Sequence, residues 1–222
     1  MPQAPVILKP HEPIAERVLL PGDPGRALRL ATQLIDRPRM LNHHRGLWGY
    51  SGPAADGELL TIQSTGLGGP SAAAVVTELV ARGARRLVRL GTAAGLGGTV
   101  LGELIVADAA LAGDGTSRAL GAAARIAADA TLSDALARGG AIRGLVASAD
   151  VHDPVLATAW AEAGALAVDL ATAAVLAAAN RHGAAAGAVL AITRARGERL
   201  ADDALGPLEA ALGAAGLGAL AG

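Results

Sequence analysis

Three glycine-bearing stretches of the chain, two of them with an arginine, are built in the way that holds an anion. The first is "RVLLPGDPGRALRLA", Arg17 to Ala31. An apolar run ends in a tight Pro-Gly-Asp-Pro-Gly turn, and Arg26 follows on what reads as the first turn of a helix. Glycine at position 22 lets backbone N–H groups approach an anion, and a helix N-terminus adds partial positive charge. Arg26 would supply a two-pronged guanidinium fork. The plainer reading of the same residues is a strand-to-helix joint with a solvated arginine. The second stretch is "STGLGGPS", Ser64 to Ser71, where a strand runs through a glycine cluster into a helix start. Its plainer reading is a tight crossover that needs small residues. In the third, "VRLGTAAGLGG", Arg89 lies within a buried-looking strand with Gly91 and Thr92 at its end. A buried guanidinium needs a partner because an unpaired buried charge is costly; a bound anion or a structural carboxylate would each serve. None of these glycine clusters has the dinucleotide GxGxxG spacing in the right context.

The elements that must position these residues alternate along the chain. "RVLL" reads as a strand and "GRALRLATQLI" as a helix. "GLWGYSG" and "ELLTIQS" read as paired strands around "PAADG". "GPSAAAVVTELVARG" reads as a helix opened by Pro70 and Ser71 and closed by Gly83. "RRLVRLG", "ELIVADA", "IRGLVAS", "LAVD" and "AAGAVLAIT" read as further strands. "DPVLATAWAEAG", "LATAAVLAAANRHG" and "LGPLEAALGAAGLGAL" read as helices, and the alanine-rich "LGAAARIAADATLSDALARGG" keeps a helical pattern. This alternation predicts a mostly parallel sheet with helices on both faces. No linker splits the chain, so residues 1–222 are expected to form one domain. In open parallel sheets ligands bind at the carboxyl ends of the strands, which is where the three anion-type stretches fall.

Composition narrows the chemistry further. The chain is 52% hydrophobic and 18% charged, with a net charge of -1, so no basic excess points to nucleic acid. It has one tyrosine, two tryptophans and no phenylalanine, so the core must be built from Ala, Val, Leu and Ile. Cysteine is absent, which excludes thiolate catalysis and zinc–cysteine sites; no metal site is expected. The start, "MPQAPVILKPHEP", is broken by prolines and lacks the charged and apolar regions of a secretion signal. The longest apolar stretch, near "AAAGAVLAI", is too short to span a bilayer. A cytoplasmic chain without a membrane partner is the expectation.

Taken together, "LPGDPGR", "STGLGGPS" and "VRLGTAAGL" resemble, in order and spacing, the successive motifs of the nucleoside phosphorylase-I family, which includes hexameric purine nucleoside phosphorylases and uridine phosphorylases. "NHHRGLWGYSG" resembles the segment before the family's third strand. The likeness is good from about Val18 to Asp108 and continues more weakly to "AVLAIT". It implies a single α/β domain with a mixed, twisted, partly barrel-like sheet flanked by helices. It implies reversible phosphorolysis of a nucleoside to free base and pentose 1-phosphate, with inorganic phosphate as co-substrate and no cofactor. The implied phosphate site is the Gly22 backbone, Arg26, Arg89 and Thr92, completed by Arg45 of a neighbouring copy. A homo-oligomer built on a dimer, as far as a hexamer in some members, follows from that last residue. Phosphate beside an oxocarbenium-like centre would both stabilise it and attack it. Leu67 matches the family's apolar residue beneath the sugar. His11, and His43 and His44 beside Arg45, are candidates for reaching across such an interface.

The nucleoside half departs from that pattern. The family's Glu-Met-Glu falls on Asp169, Leu170 and Ala171, so the glutamate that holds the ribose hydroxyls is replaced by Ala171. A buried hydrogen bond to a charged group contributes roughly 1.5–3 kcal/mol, so two lost bonds correspond to about two to four decades. Asp169 reads most simply as a helix N-cap before "LATAAV". The purine enzymes' Ser-Asp pair falls on Thr193 and Arg194, which removes the general acid. The Gln-x-Arg clamp of uridine phosphorylases is absent from "SADVHDPVL", where His152 takes the place of a stacking aromatic, with Asp153 beside it to orient it. Arg194 and Arg196 would hold an anionic or carbonyl-bearing base, or pair with Asp202 and Asp203. His182 reads as a cation at a helix C-terminus. The alternatives to a phosphorylase are a family member that binds phosphate or a phosphorylated metabolite without turnover, and a nucleosidase-like hydrolase, against which the retained arginines argue.

Overall fold

From Val18 to Pro21 "RVLLP" is apolar on both sides of the strand, and as β1 (Arg17–Pro21) it is buried at every position, with Arg17 paired to Asp56. The computed structural model describes residues 7–221; the first six residues of the proline-broken start, and with them part of the secretion-signal reading, lie outside the described residues. Asp23 then caps α1 (Pro24–Leu34), its side chain accepting the Arg26 N–H, with Pro24 in the first turn. A short strand β2 (Arg39–Asn42) leads to the hairpin of β3 (Gly49–Pro53) and β4 (Leu59–Gln63), which pair antiparallel as the sequence predicts. Helix α2 spans Gly68–Ala81.

The second half holds β5 (Arg86–Gly95), β6 (Leu104–Ala112), α3 (Gly115–Ala119), β7 (Arg125–Ala127), α4 (Ala130–Ala137), β8 (Ile142–Ser148), α5 (Pro154–Glu162), β9 (Ala165–Asp169) and α6 (Thr172–Arg181). The chain then forms β10 (Ala185–Ala195), β11 (Glu198–Arg199) and α7 (Leu205–Leu220). Two expectations change. The alanine-rich stretch is not one helix: Arg125–Ala127 pair with Leu111–Ala109 as a strand before Asp129 caps α4. Strand β5 does not end at Gly91 but runs on to Gly95, because β10 continues to pair with Gly91, Thr92 and Ala93.

The sheet order is β11-β10-β6-β8-β9-β5-β1-β4-β3-β2, and β10 also pairs parallel with β5. That extra pairing closes β5, β10, β6, β8 and β9 into a ring, with β1, β4, β3 and β2 extending from β5 as an open sheet. The sheet is therefore mixed and partly barrel-like, as the family resemblance implies. Helices lie on both faces. On one, α2 and α6 cover a cluster that includes Val76, Leu79, Leu176 and Leu190. On the other, α1, α4 and α7 cover Leu30, Leu60, Val88 and Leu212. Alanine and glycine let these layers approach closely: a Cβ on Gly216 of α7 would sit 2.8 Å from Leu19 Cδ2. Among the described residues no helix is long and apolar enough to cross a membrane.

Candidate active site

The strand ends converge on a cavity of about 510 Å³. The turn after β1 contributes Gly22, Asp23 and Arg26; the turn after β4 contributes Gly66, Leu67 and Gly68. Strand β5 presents Arg89, Gly91 and Thr92, the loop after β8 presents Val151 and His152, and the end of β9 presents Asp169, Leu170 and Ala171. Thr193 and Arg194 enter from β10. The turns after β1 and β4, the loop after β8 and the end of β9 all give lining residues, which is the placement expected for a ligand site in such sheets.

Arg89 is 6% exposed and splits its guanidinium between two tasks. Nε and Nη2 donate to Asp169 Oδ2 at 3.0 and 2.8 Å, and Nε also donates to Thr172 Oγ1 at 3.2 Å. Nη1 is buried and has no hydrogen-bond partner. Of the two partners allowed by the sequence, the carboxylate is thus present, while one donor of this cavity-lining residue stays buried and unpaired. Leaving a charged donor buried and unmatched costs free energy, which a bound anion would recover.

Asp169 is not the N-cap of α6, a position that Ala171 holds, but its carboxylate still accepts from the start of that helix. Oδ1 accepts from the Ala171 and Thr172 backbone N–H groups at 3.2 and 3.1 Å and from Ser148 Oγ at 2.6 Å. Burial by itself would push its pKa up; the Arg89 charge and the bonds from Ser148 and Thr172 outweigh this and hold the carboxyl below the usual range.

Arg26 is not a solvated arginine. It is 6% exposed, with Nε donating to Glu209 Oε1 at 2.8 Å and Nη1 to the Leu90 carbonyl at 3.3 Å. Its Nη2 has no partner among the described residues. Glu209 lies on α7, and its carboxylate also receives Arg29 Nε and Nη2 at 2.7 and 2.9 Å. Burial pushes the Glu209 pKa up, but the bonds from Arg29 and Arg26 carry it below the usual carboxylate range. Sequence reasoning missed Glu209: a single glutamate in an apolar helix reads as a solvated position, and only the fold brings it to Arg26. The signal available was its place in "GPLEAALGAAGLGAL", where a lone charge sits among small residues.

Other expected residues lie elsewhere. Arg196 is outside the cavity, in the turn between β10 and β11 with φ 52°, and its Nη2 donates to the Gly98 carbonyl at 2.9 Å. Neither Arg194 nor Arg196 pairs with Asp202 or Asp203 among the described residues; Arg199 takes Asp202. Asp153 does not orient His152 but caps α5, accepting the Val155 N–H at 2.8 Å. Arg45 is exposed, with φ 58°, and does not line the cavity of its own chain. His11 stacks on His43, ring centroids 5.7 Å apart, and His182 closes α6 as its C-cap. Leu67, 84% exposed, stands at the cavity with its side chain largely uncovered.

A family model described as the phosphorylase superfamily matches residues 16–210. The chain belongs to this superfamily. It is 37% identical over 105 residues to the DeoD-type purine nucleoside phosphorylase of Oceanobacillus iheyensis, covering 47% of this chain and 43% of that protein. It is 38% identical over 114 residues to the uridine phosphorylase of Thermococcus kodakarensis, covering 51% and 40%. The chain thus spans less than half the length of these curated relatives in each alignment. Over whole folds the likeness is broader. A crystal structure of uridine phosphorylase from Vibrio fischeri, complexed with 6-hydroxy-1-naphthoic acid, superposes with a TM-score of 0.82 at 26% identity, covering 93% of this chain and 90% of that one. For this superfamily member, the fold and the family implied by "PGDPGR", "STGLGGPS" and "VRLGT" therefore stand.

Proposed function

We propose that the chain, as one domain, is a nucleoside phosphorylase. Phosphate binds between the Gly22 backbone, Arg26 Nη2, Arg89 Nη1 and Thr92, and Arg45 of a neighbouring copy completes the site. The nucleoside lies over Leu67 and Leu170, with His152 and Arg194 at the base end. A phosphate oxygen forms the new bond to C1′ as the C1′–N bond breaks. The electron pair leaves with the base, which takes its proton from solvent because no carboxylic acid stands at Arg194. A cationic Arg194 favours a base that leaves with charge on its carbonyl oxygens, so a carbonyl-rich base is the better substrate. Inorganic phosphate is the only co-reactant required, the active form is a homo-oligomer, and the site of action is the cytoplasm.

The single observation that carries this reading is the buried, unpartnered Nη1 of Arg89, a residue that lines the cavity. The test is a screen of purine and pyrimidine nucleosides with and without phosphate. Base release that depends on phosphate is the expected result; equal release without phosphate overturns the reading in favour of a hydrolase. A second reading is a member that binds phosphate or a phosphorylated metabolite without turnover. It is favoured by Asp169, whose carboxylate is already engaged by Arg89, Ser148 and Thr172. Phosphate-dependent stabilisation with no turnover of any nucleoside would select it.

A further inference from the structure

Helix α7 buries Glu209, Leu212, Gly213 and Gly216 on one face, at the i, i+3, i+4 and i+7 spacing of a helical stripe. The glycines let the helix lie close on the layer beneath it. A Cβ on Gly213 would stand 2.5 Å from Leu30 Cδ2, and one on Gly216 would stand 2.9 Å from Leu90 Cδ2. One turn before Gly213, the same face carries a glutamate to Arg26, with only 4% of its side chain exposed. Glu209 does not line the cavity, whereas Arg26 does. The carboxylate can therefore act on a ligand only through the guanidinium that it holds.

Arg26 is tied down along its whole length. Asp23 Oδ1 accepts its backbone N–H at 2.7 Å, Glu209 Oε1 accepts Nε at 2.8 Å, and the Leu90 carbonyl accepts Nη1 at 3.3 Å. Only Nη2 is left without a protein partner among the described residues. Arg29 donates to both oxygens of the same carboxylate, so one anion lies between two cations and a net positive charge remains for an incoming anion. An arginine already held in one rotamer loses less freedom when the ligand arrives. We infer that Glu209 is a positioning residue for phosphate: it holds Arg26 so that Nη2 is offered to the anion, and α7 thereby sets the affinity for phosphate. The inference rests on the phosphorylase reading above.

The test measures KM for phosphate and for nucleoside separately in the parent, Glu209→Ala, Glu209→Gln and Arg29→Ala. Glu209→Ala is expected to raise the phosphate KM about tenfold or more, with kcat at saturating phosphate and the nucleoside KM within about twofold of the parent. Glu209→Gln keeps an acceptor for Arg26 Nε but not the charge, and should lie in between, about threefold or more above the parent. Arg29→Ala leaves the buried pair in place and should hold the phosphate KM within about twofold. A merely structural glutamate would lower the fraction of active protein, and so the apparent kcat, with both KM values unchanged; that result overturns the inference. So does an equal rise of the phosphate KM in Arg29→Ala. If Glu209→Ala does not fold, Glu209→Gln decides alone, and an unchanged phosphate KM there overturns the inference. Calorimetric titration of inorganic phosphate repeats the comparison without turnover. If the parent binds phosphate but turns over no nucleoside, the proposed reaction fails by itself, while the Kd ratios still decide the role of Glu209. A parent that binds no phosphate overturns the inference.

Discussion

Arg26 Nε donates to Glu209 Oε1 at 2.8 Å across 183 positions of sequence, joining the first glycine turn to the last helix. Both side chains are nearly fully buried, while the second arginine on the same carboxylate, Arg29, is 52% exposed. The two arginines should therefore differ in weight. Removing the carboxylate with Glu209→Ala strands a buried guanidinium and is expected to destabilise the fold by about 3 kcal/mol or more. Arg29→Ala leaves the buried pair intact and should cost under about 1 kcal/mol. Urea titration of the two variants measures both; equal losses would show that the inner pair carries no special weight.

Arg89→Ala removes a buried guanidinium whose Nη1 has no hydrogen-bond partner and also deprives Asp169 of its cation. The variant should melt lower than the parent and should lose the rise in melting temperature that phosphate produces in the parent. Scanning calorimetry with and without phosphate reads the two effects separately. A phosphate-dependent rise of unchanged size in Arg89→Ala would refute the anion site.

Asp169 and Glu209 both hold their protons less tightly in the folded chain than in the unfolded one. Their stabilisation is complete above the ordinary carboxylate range, about pH 4, and is lost as pH falls through the lower values of the folded state. The gap in melting temperature between the parent and Asp169→Asn should accordingly be wide at pH 7 and narrow toward pH 3. A gap that widens on acidification would contradict the assignment of Asp169 as the ionised partner of Arg89.

Arg45 makes its test across subunits. Arg45→Ala and Arg89→Ala should each be poor in phosphorolysis, yet co-expressed they should recover activity. A mixed dimer then has one site with its own Arg89 and its neighbour's Arg45. Light scattering should find a dimer or a larger assembly; a monomer, or mixtures no more active than either variant, would count against a shared site.

Much of this arrangement is legible in the residues. The apolar runs of β1, β8 and β10 and the Pro-Ser opening of α2 locate the strands and helices by local chemistry, and three glycine-rich stretches, two of them with an arginine, mark where the cavity forms. What is not legible depends on contacts distant in sequence. Strand β7 has three residues inside an alanine-rich stretch, too few to break a helical pattern, and exists because β6 has a free edge to pair with it. Strand β5 continues past Gly91 because β10 lies alongside, about a hundred positions later. Glu209 has no local signature beyond being a lone charge among small apolar residues. Arg89 reads as needing a partner and Asp169 as a helix N-cap, and nothing local marks the two, 80 positions apart, as partners of each other.

Ring closure has a consequence for how the protein is made. The pairing of β5 with β10 and the bonds from Arg26 to Glu209 wait on residues near the end of the chain. During synthesis from the N-terminus, Arg26 and Arg89 emerge long before the carboxylates that neutralise them. The nascent chain must keep both guanidiniums hydrated, and the open sheet of β1, β3 and β4 must wait with β5 unpaired on one side. Long-range closure of this kind slows folding, so the part of the sheet that carries Arg26 and Arg89 is completed only after β10 and α7 have been made.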